Sequence, residues 1–187
     1  MFILELVIIS REKDKILLEN IPKDRIAEYV FMILRTMWAV DGLYYLSIEE
    51  RYGTKSATDI DRIVWEIIGK IEARKIREFF SINGNDIKSI IRALSYSSWA
   101  LDLEDKEIIL KNDKAIIRIN KCRVQSTRIG KGLSEFGCKP VRFNFLKAFV
   151  KELNSDIVVK CNVCPPDKHP PDLWCEWEFT SNKTNTD

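Results

Sequence analysis

Histidine is almost absent: His169 is the single one in 187 residues. That excludes most histidine-rich catalytic metal centres, and neither His-Glu-x-x-His nor Gly-x-Ser-x-Gly occurs. A phosphate loop is missing too. "GLSEFGCK" carries two glycines but not the Gly-Lys-Ser/Thr ending that grips phosphate and magnesium. The apolar start, "MFILELVIIS", is too short to span a bilayer. No basic stretch precedes it and no small-residue cleavage site follows, so it is expected to be a first strand or a docked segment. Charge of one sign is also lacking: 30 basic against 28 acidic side chains leave +2, with no global pull toward nucleic acid or anionic lipid. Five cysteines, an odd number with no export signal, argue against a disulfide framework and for reduced thiols in the cytoplasm.

What is present reads as a folded chain: 45% hydrophobic and 31% charged residues suit a globular domain, not a disordered one. One domain over 1–187 is expected, mainly helical to residue 100 and then a β-hairpin, a helix and a second β-hairpin over 101–180. Residues 25–52 carry apolar side chains at helical spacing, and Gly53 stops the run. "YVFMILRTMWAV" is apolar nearly all round, the mark of a helix covered on most faces and a ready surface for a homodimer. A second long helix is expected over about 55–80, with "NGND" breaking it and a shorter helix ending near Ser97. "KEIILKNDKAIIRINKCRVQ" then alternates as a hairpin, 130–139 is glycine-punctuated loop, and Pro140–Leu153 returns to helical period. "DIVVKC" and "DLWCEWEF" read as two more strands, and "TSNKTNTD" as a frayed tail. The fold class is α+β, with N-terminal helices packed on a small antiparallel sheet.

The chemistry gathers in "KCNVCPPDKHPPDLWCEW". Strand alternation puts Cys161 and Cys175 on one face if the two strands pair, and Cys164 follows in the connecting loop. A Cys-x2-Cys step lets two thiolates aim at one centre. His169 could complete the set, at one residue from zinc-knuckle spacing, but the loop has prolines where a knuckle has glycines. Cys138 is the stronger fourth ligand: it precedes a helix whose N-terminal end favours a thiolate. A four-thiolate site has no open position for water, so the metal, zinc, would be structural. The plainer alternative is separate buried cysteines acting as small hydrophobes, and Cys122 is expected to be one.

The four-cysteine spacing on a helix and hairpin resembles the metal site of vinyl-4-reductase-type domains, small-molecule-binding modules in which the corresponding site is a structural zinc centre. More widely, "MWAVDGLYYLSIEERYG" (37–53), "VWEIIGKIEAR" (64–74), "SSWAL" (97–101), "GKGLSEFGCKP" (130–140) and "CNVCPPDKHPPDLWCEWEF" (161–179) carry a resemblance to an uncharacterised bacterial and archaeal family. That family is related to L-2-amino-thiazoline-4-carboxylic acid hydrolase. The resemblance implies a cytosolic chain with a ligand-binding fold; no catalytic set transfers to positions here.

Two helical stripes are candidates for a pocket. Trp38, Asp41, Tyr45 and Glu49 line one face of the first long helix; Trp65, Gly69 and Glu72 line the second. Trp38, Asp41, Tyr45, Trp65 and Glu72 are the expected ligand-binding residues, with basic or hydrogen-bond-donating ligands suited to Asp41 and Glu72, and anionic ones to Arg123 or Arg128. Gly69, costly in mid-helix, points to a close approach of backbone or ligand. The same residues read equally as core, with Asp41 or Glu72 paired to Arg35 or Arg74. Three functions follow: a sensor-like small-molecule-binding domain with a structural zinc; a hydrolase opening a small cyclic amidine, with Asp41, Glu49 or Glu72 as acid–base groups; or a nucleic-acid-binding adaptor using the basic segment 118–147. The last demands its basic side chains on one convex face and His169 on the metal. No membrane partner is expected.

Overall fold

The structure is a computed structural model and describes residues 11–111 and 113–181. The expectations for 1–10, for the centre of the "KND" turn and for the last residues of the tail lie outside them. By its contacts the chain divides into a first unit ending at Val40 and a second beginning at Asp41. No helix among the described residues is long and apolar enough to cross a membrane.

Helix α1 spans Arg11–Glu19. Helix α2 spans Ile26–Phe79 and is interrupted at Gly53, whose backbone is non-helical at φ 81°, ψ 161°. A glycine tolerates that conformation; any side chain would strain it. The chain reverses there. Tyr45 Oη lies 2.9 Å from Thr58 Oγ1, although thirteen residues of straight helix would separate them by about 20 Å. Gly53 therefore ends the first arm of α2 and lets the second arm, residues 54–79, fold back against residues 41–52.

Helix α3, Ile87–Ser95, is capped by Asp86, which accepts the Ser89 N–H at 2.9 Å. Its apolar positions Ile87, Ile90, Ile91 and Leu94 are all buried. Strands β1 (Asp105–Leu110) and β2 (Lys114–Lys121) form the first hairpin. Helix α4 covers Arg123–Gly130, where the alternating pattern had predicted strand as far as Gln125. Helix α5 is Lys139–Leu153, with Pro140 in its first turn, where a missing N–H costs nothing. Strands β3 (Ile157–Val163) and β4 (Cys175–Ser181) close the chain.

The four strands make one antiparallel sheet in the order β1-β2-β4-β3. Its inner face is read off the register. Ala115, Phe179 and Val159 form one row, Ile117, Trp177 and Cys161 the next, and Ile119 pairs with Cys175. Trp177, at 0% exposure, is the centre of this face. The outer face is charged and paired: Lys114 with Glu178 at 2.8 Å, and Arg118 with Glu176 at 2.5 Å.

Of the N-terminal helices expected on the sheet, α3 packs on it directly. α3 and α5 cover the inner face, and the second arm of α2 lies on α5. The close approach is at Gly69: a Cβ there would stand 2.7 Å from the Phe145 carbonyl oxygen and 3.3 Å from the Phe149 nitrogen. So the glycine serves backbone approach between two helices. Gly69→Ala is expected to destabilise the fold by about 1–3 kcal/mol, because backbone overlap outweighs the helix-propensity gain of alanine. Urea unfolding of the two proteins checks it.

Candidate functional site

The candidate residues fall into two clusters. The first is sulfur. Cys138 arrives just before α5, and the Lys139 N–H donates to the Pro165 carbonyl at 2.9 Å, tying the start of that helix to the loop beyond Cys164. Lys139 Nζ adds an ion pair to Asp167 at 2.7 Å. Cys161 and Cys175 come from the paired strands β3 and β4, with a register shift between Cys161 and Val163 at the loop end. The Sγ atoms of Cys138 and Cys164 are 3.5 Å apart. Side-chain hydrogen bonds also link Cys164 to Cys161 and Cys175. All five cysteines are free thiols. Hydrogen bonding to Cys164 holds the thiols of Cys138 and Cys161 below their ordinary range, and the same contacts, with burial, push Cys164 up.

The four cysteines expected as ligands are thus brought to one place. Among the described residues, no group of three or more His, Cys, Asp or Glu side chains stands ready-made to hold an ion. The sulfurs close on Cys164 as hydrogen-bonded thiols. His169 has other partners: Nδ1 is 2.9 Å from the Pro170 oxygen, Nε2 is 3.5 Å from Glu135, and the ring packs on Trp174. Burial pushes the Cys122 thiol up to about 11, which keeps it protonated, although the residue is half-buried and lines a cleft beside Arg123 where a core thiol was expected.

The second cluster is acidic and aromatic. Asp41 and Asp61 face each other across the two arms of α2 and both hydrogen-bond Trp65. Burial raises Asp41, against the pull of Arg142 and the Trp65 bond. Asp61 is pushed up to about 7, first by burial and then by the Asp41 carboxylate. Glu72 accepts the Ser98 N–H at 3.2 Å and is raised by burial. Arg142 attracts all three carboxylates. Its guanidinium carbon lies 5.0 Å from the Trp65 ring, 5.1 Å from Trp99 and 5.2 Å from Phe145, a cation boxed by aromatic faces.

Of the expected ligand-binding residues, Asp41, Trp65 and Glu72 come together at Arg142. Tyr45 sits beside them against Phe136, with ring centroids 4.7 Å apart. Trp38 belongs to the first unit. Arg74, the alternative partner for Glu72, is taken by Glu152 at 2.8 Å.

Asp61, Trp99, Gln125 and Arg142 were missed. Asp61 stands four residues before Trp65, on the same stripe. Arg142 had a signal in the sequence: it occupies the apolar stripe of Phe145, Leu146 and Phe149 on α5, where a charge has no solvent to face. Gln125, on the unexpected α4, is 1% exposed. It exchanges two 2.8 Å hydrogen bonds with the Phe136 backbone, pinning the loop that carries Cys138.

The basic segment is largely spent on partners. Arg118 pairs with Glu176, Arg123 with Asp102, and Lys139 with Asp167. Arg128 grips Glu49 through two bonds of 2.9 and 3.2 Å, with both side chains mostly buried. Glu49 is held below the usual carboxylate range by that bond. Glu49→Ala would leave a buried guanidinium unpaired and is expected to cost about 3 kcal/mol, read as a lower thermal midpoint. A cleft of about 310 Å³ opens beside Arg123 and is lined by both signs of charge, Asp102 and Glu104 with Lys121.

With the geometry in hand, comparison with known proteins adds one result. A family described as "Family of unknown function (DUF6125)" matches residues 19–181. The chain belongs to this family. No curated protein and no solved structure matches it. The family match takes in both clusters, from Asp41 to Cys175.

Proposed function

We propose that this member of the family is a cytoplasmic small-molecule-binding domain, sensor-like and of the vinyl-4-reductase kind, held together by one structural zinc. The observation that carries the binding reading is the gathering of three half-buried carboxylates, Asp41, Asp61 and Glu72, around one aromatic-boxed cation. Burying that much charge costs stability, and such clusters concentrate at functional sites. With more acid than base, the cluster suits a basic or N–H-donating ligand held against Trp65 and Trp99. The zinc would sit on Cys138, Cys161, Cys164 and Cys175. Tetrahedral bonds of 2.3 Å separate sulfurs by roughly 3.8 Å, so the 3.5 Å between Cys138 and Cys164 needs only a small opening. Ile26, Val30, Ile33, Met37 and Val40, at alternating steps of four and three and each at least 39% exposed, support a homodimer through α2.

Native mass spectrometry of the full chain, purified from cell extract, tests the proposal by reporting metal, subunit count and retained ligand together. One zinc per chain plus a small basic ligand is expected; a metal-free chain carrying nothing contradicts it. One observation favours a second reading, a hydrolase opening a small cyclic amidine: a carboxyl at about 7 can exchange protons at neutral pH. That reading requires turnover with a pH limb near 7 that disappears in Asp61→Asn.

A further inference from the structure

We infer that the cleft between the segment entering β1 and the start of α4 binds a small zwitterion of the amino-acid kind, its carboxylate on the α4 side and its ammonium on the β1 side. The site shares no residue with the carboxylate pocket or the thiol cluster and stands apart from the reading given for either.

The cleft holds about 310 Å³, at the small end of ligand pockets, so it suits one small molecule and not an extended chain. One wall is the segment before β1, with Asp102, Leu103 and Glu104. The other is the end of β2 and the start of α4, with Lys121, Arg123, Ser126 and Thr127. Positions 123, 126 and 127 are three and four residues apart, so a guanidinium and two hydroxyls share one face of α4.

The charges divide by wall. Asp102, with φ at 60°, turns both its carbonyl and its carboxylate to Arg123, whose Nη2 donates to them at 2.7 and 3.0 Å. That pair is neutral within itself and ties the two walls together. It leaves Nη1 of Arg123 buried with no hydrogen-bond partner among the described residues, a donor cut off from water with nothing to receive it. Glu104 and Lys121 are exposed, one on each wall, and neither has an ion-pair partner among the described residues.

A plain anion would meet Glu104 and a plain cation would meet Lys121. A molecule carrying both charges close together presents the opposite sign to each wall. Its carboxylate takes the Lys121 ammonium and the Ser126 and Thr127 hydroxyls, and gives Arg123 Nη1 the acceptor it lacks once the guanidinium turns outward. Its ammonium goes to Glu104, and Leu103 offers its side chain an apolar contact.

The test is amide NMR titration of the full chain with L-alanine, L-leucine and L-glutamine, each beside the same acid without its amino group. At least one amino acid should shift the amides of Glu104 and of residues 121–127, and bind about fivefold tighter than its deaminated acid, the upper end for one exposed ion pair. Glu104→Gln should abolish that preference and leave the acid's affinity unchanged. Lys121→Gln should weaken amino acid and acid alike, by about fivefold. Both side chains are exposed and unpaired, so neither substitution threatens the fold. Equal affinity for amino acid and acid would leave an anion site only and overturns the proposal. So does a preference that survives Glu104→Gln, or cleft amides that none of the three amino acids moves.

Discussion

Cys164→Ser is expected to abolish stoichiometric zinc and to lower the thermal midpoint by about 10 °C or more. Cys164 is the sulfur on which the other three converge, and it is fully buried, so serine has no route to recruit a substitute ligand from solvent. Structural zinc contributes its binding free energy to folding, about 10 kcal/mol or more in small zinc domains. Even half of that, at about 2–4 °C per kcal/mol for a chain of this size, gives the stated shift. The effect should be polarised. Loss of the clip frees the start of α5 from the β3–β4 hairpin, so hydrogen exchange should rise first in residues 130–140 and 161–175. Unchanged metal content with an unchanged midpoint would show Cys164 to be an ordinary buried thiol.

The second large effect is a pH dependence centred on Asp61. Its carboxyl is raised to about 7 in the folded chain, chiefly by burial and then by Asp41, against about 4 in an unfolded chain. The folded state therefore keeps a proton that the unfolded state has released. Stability is highest below about pH 4, falls as pH rises, and levels off above about 7. Three pH units correspond to about 4 kcal/mol at most, and coupling to Asp41 brings the expected loss to about 2–4 kcal/mol. Asp61→Asn removes the titrating group, so it should be near neutral at pH 4 and stabilising by that amount at pH 8. Urea unfolding of both proteins at the two pH values measures it. Parallel pH profiles would place the proton elsewhere.

The long-range parts of this site were legible where the sequence signal is itself periodic or spaced. Gly53 as a stop, the α2 arms, α3, α5 and both hairpins follow from apolar period and turn residues; Cys161, Cys164 and Cys175 follow from alternation on β3 and β4 plus one Cys-x2-Cys step, and Cys138 from its place just before a helix. α4 was not legible, because "CRVQ" continues a strand-like alternation and only tertiary packing of Gln125 and Arg128 turns it into helix. The acidic centre was half legible. Asp41, Trp65 and Glu72 lie on readable stripes, whereas Arg142 was hidden in a run of basic residues that looks like solvated surface when scanned linearly. Gly69 was read correctly as a point of close approach. What approaches is the α5 backbone, which a helical period alone does not identify.

Metal substitution on the full-length chain is the most direct measurement. With Co2+ in place of Zn2+, four sulfur ligands give an intense near-ultraviolet sulfur-to-cobalt band and strong tetrahedral visible bands at one metal per chain. Those bands should persist in His169→Ala and vanish in Cys138→Ser. A spectrum that is weak and octahedral, or one that Cys138→Ser leaves intact while His169→Ala removes it, would contradict a four-thiolate centre.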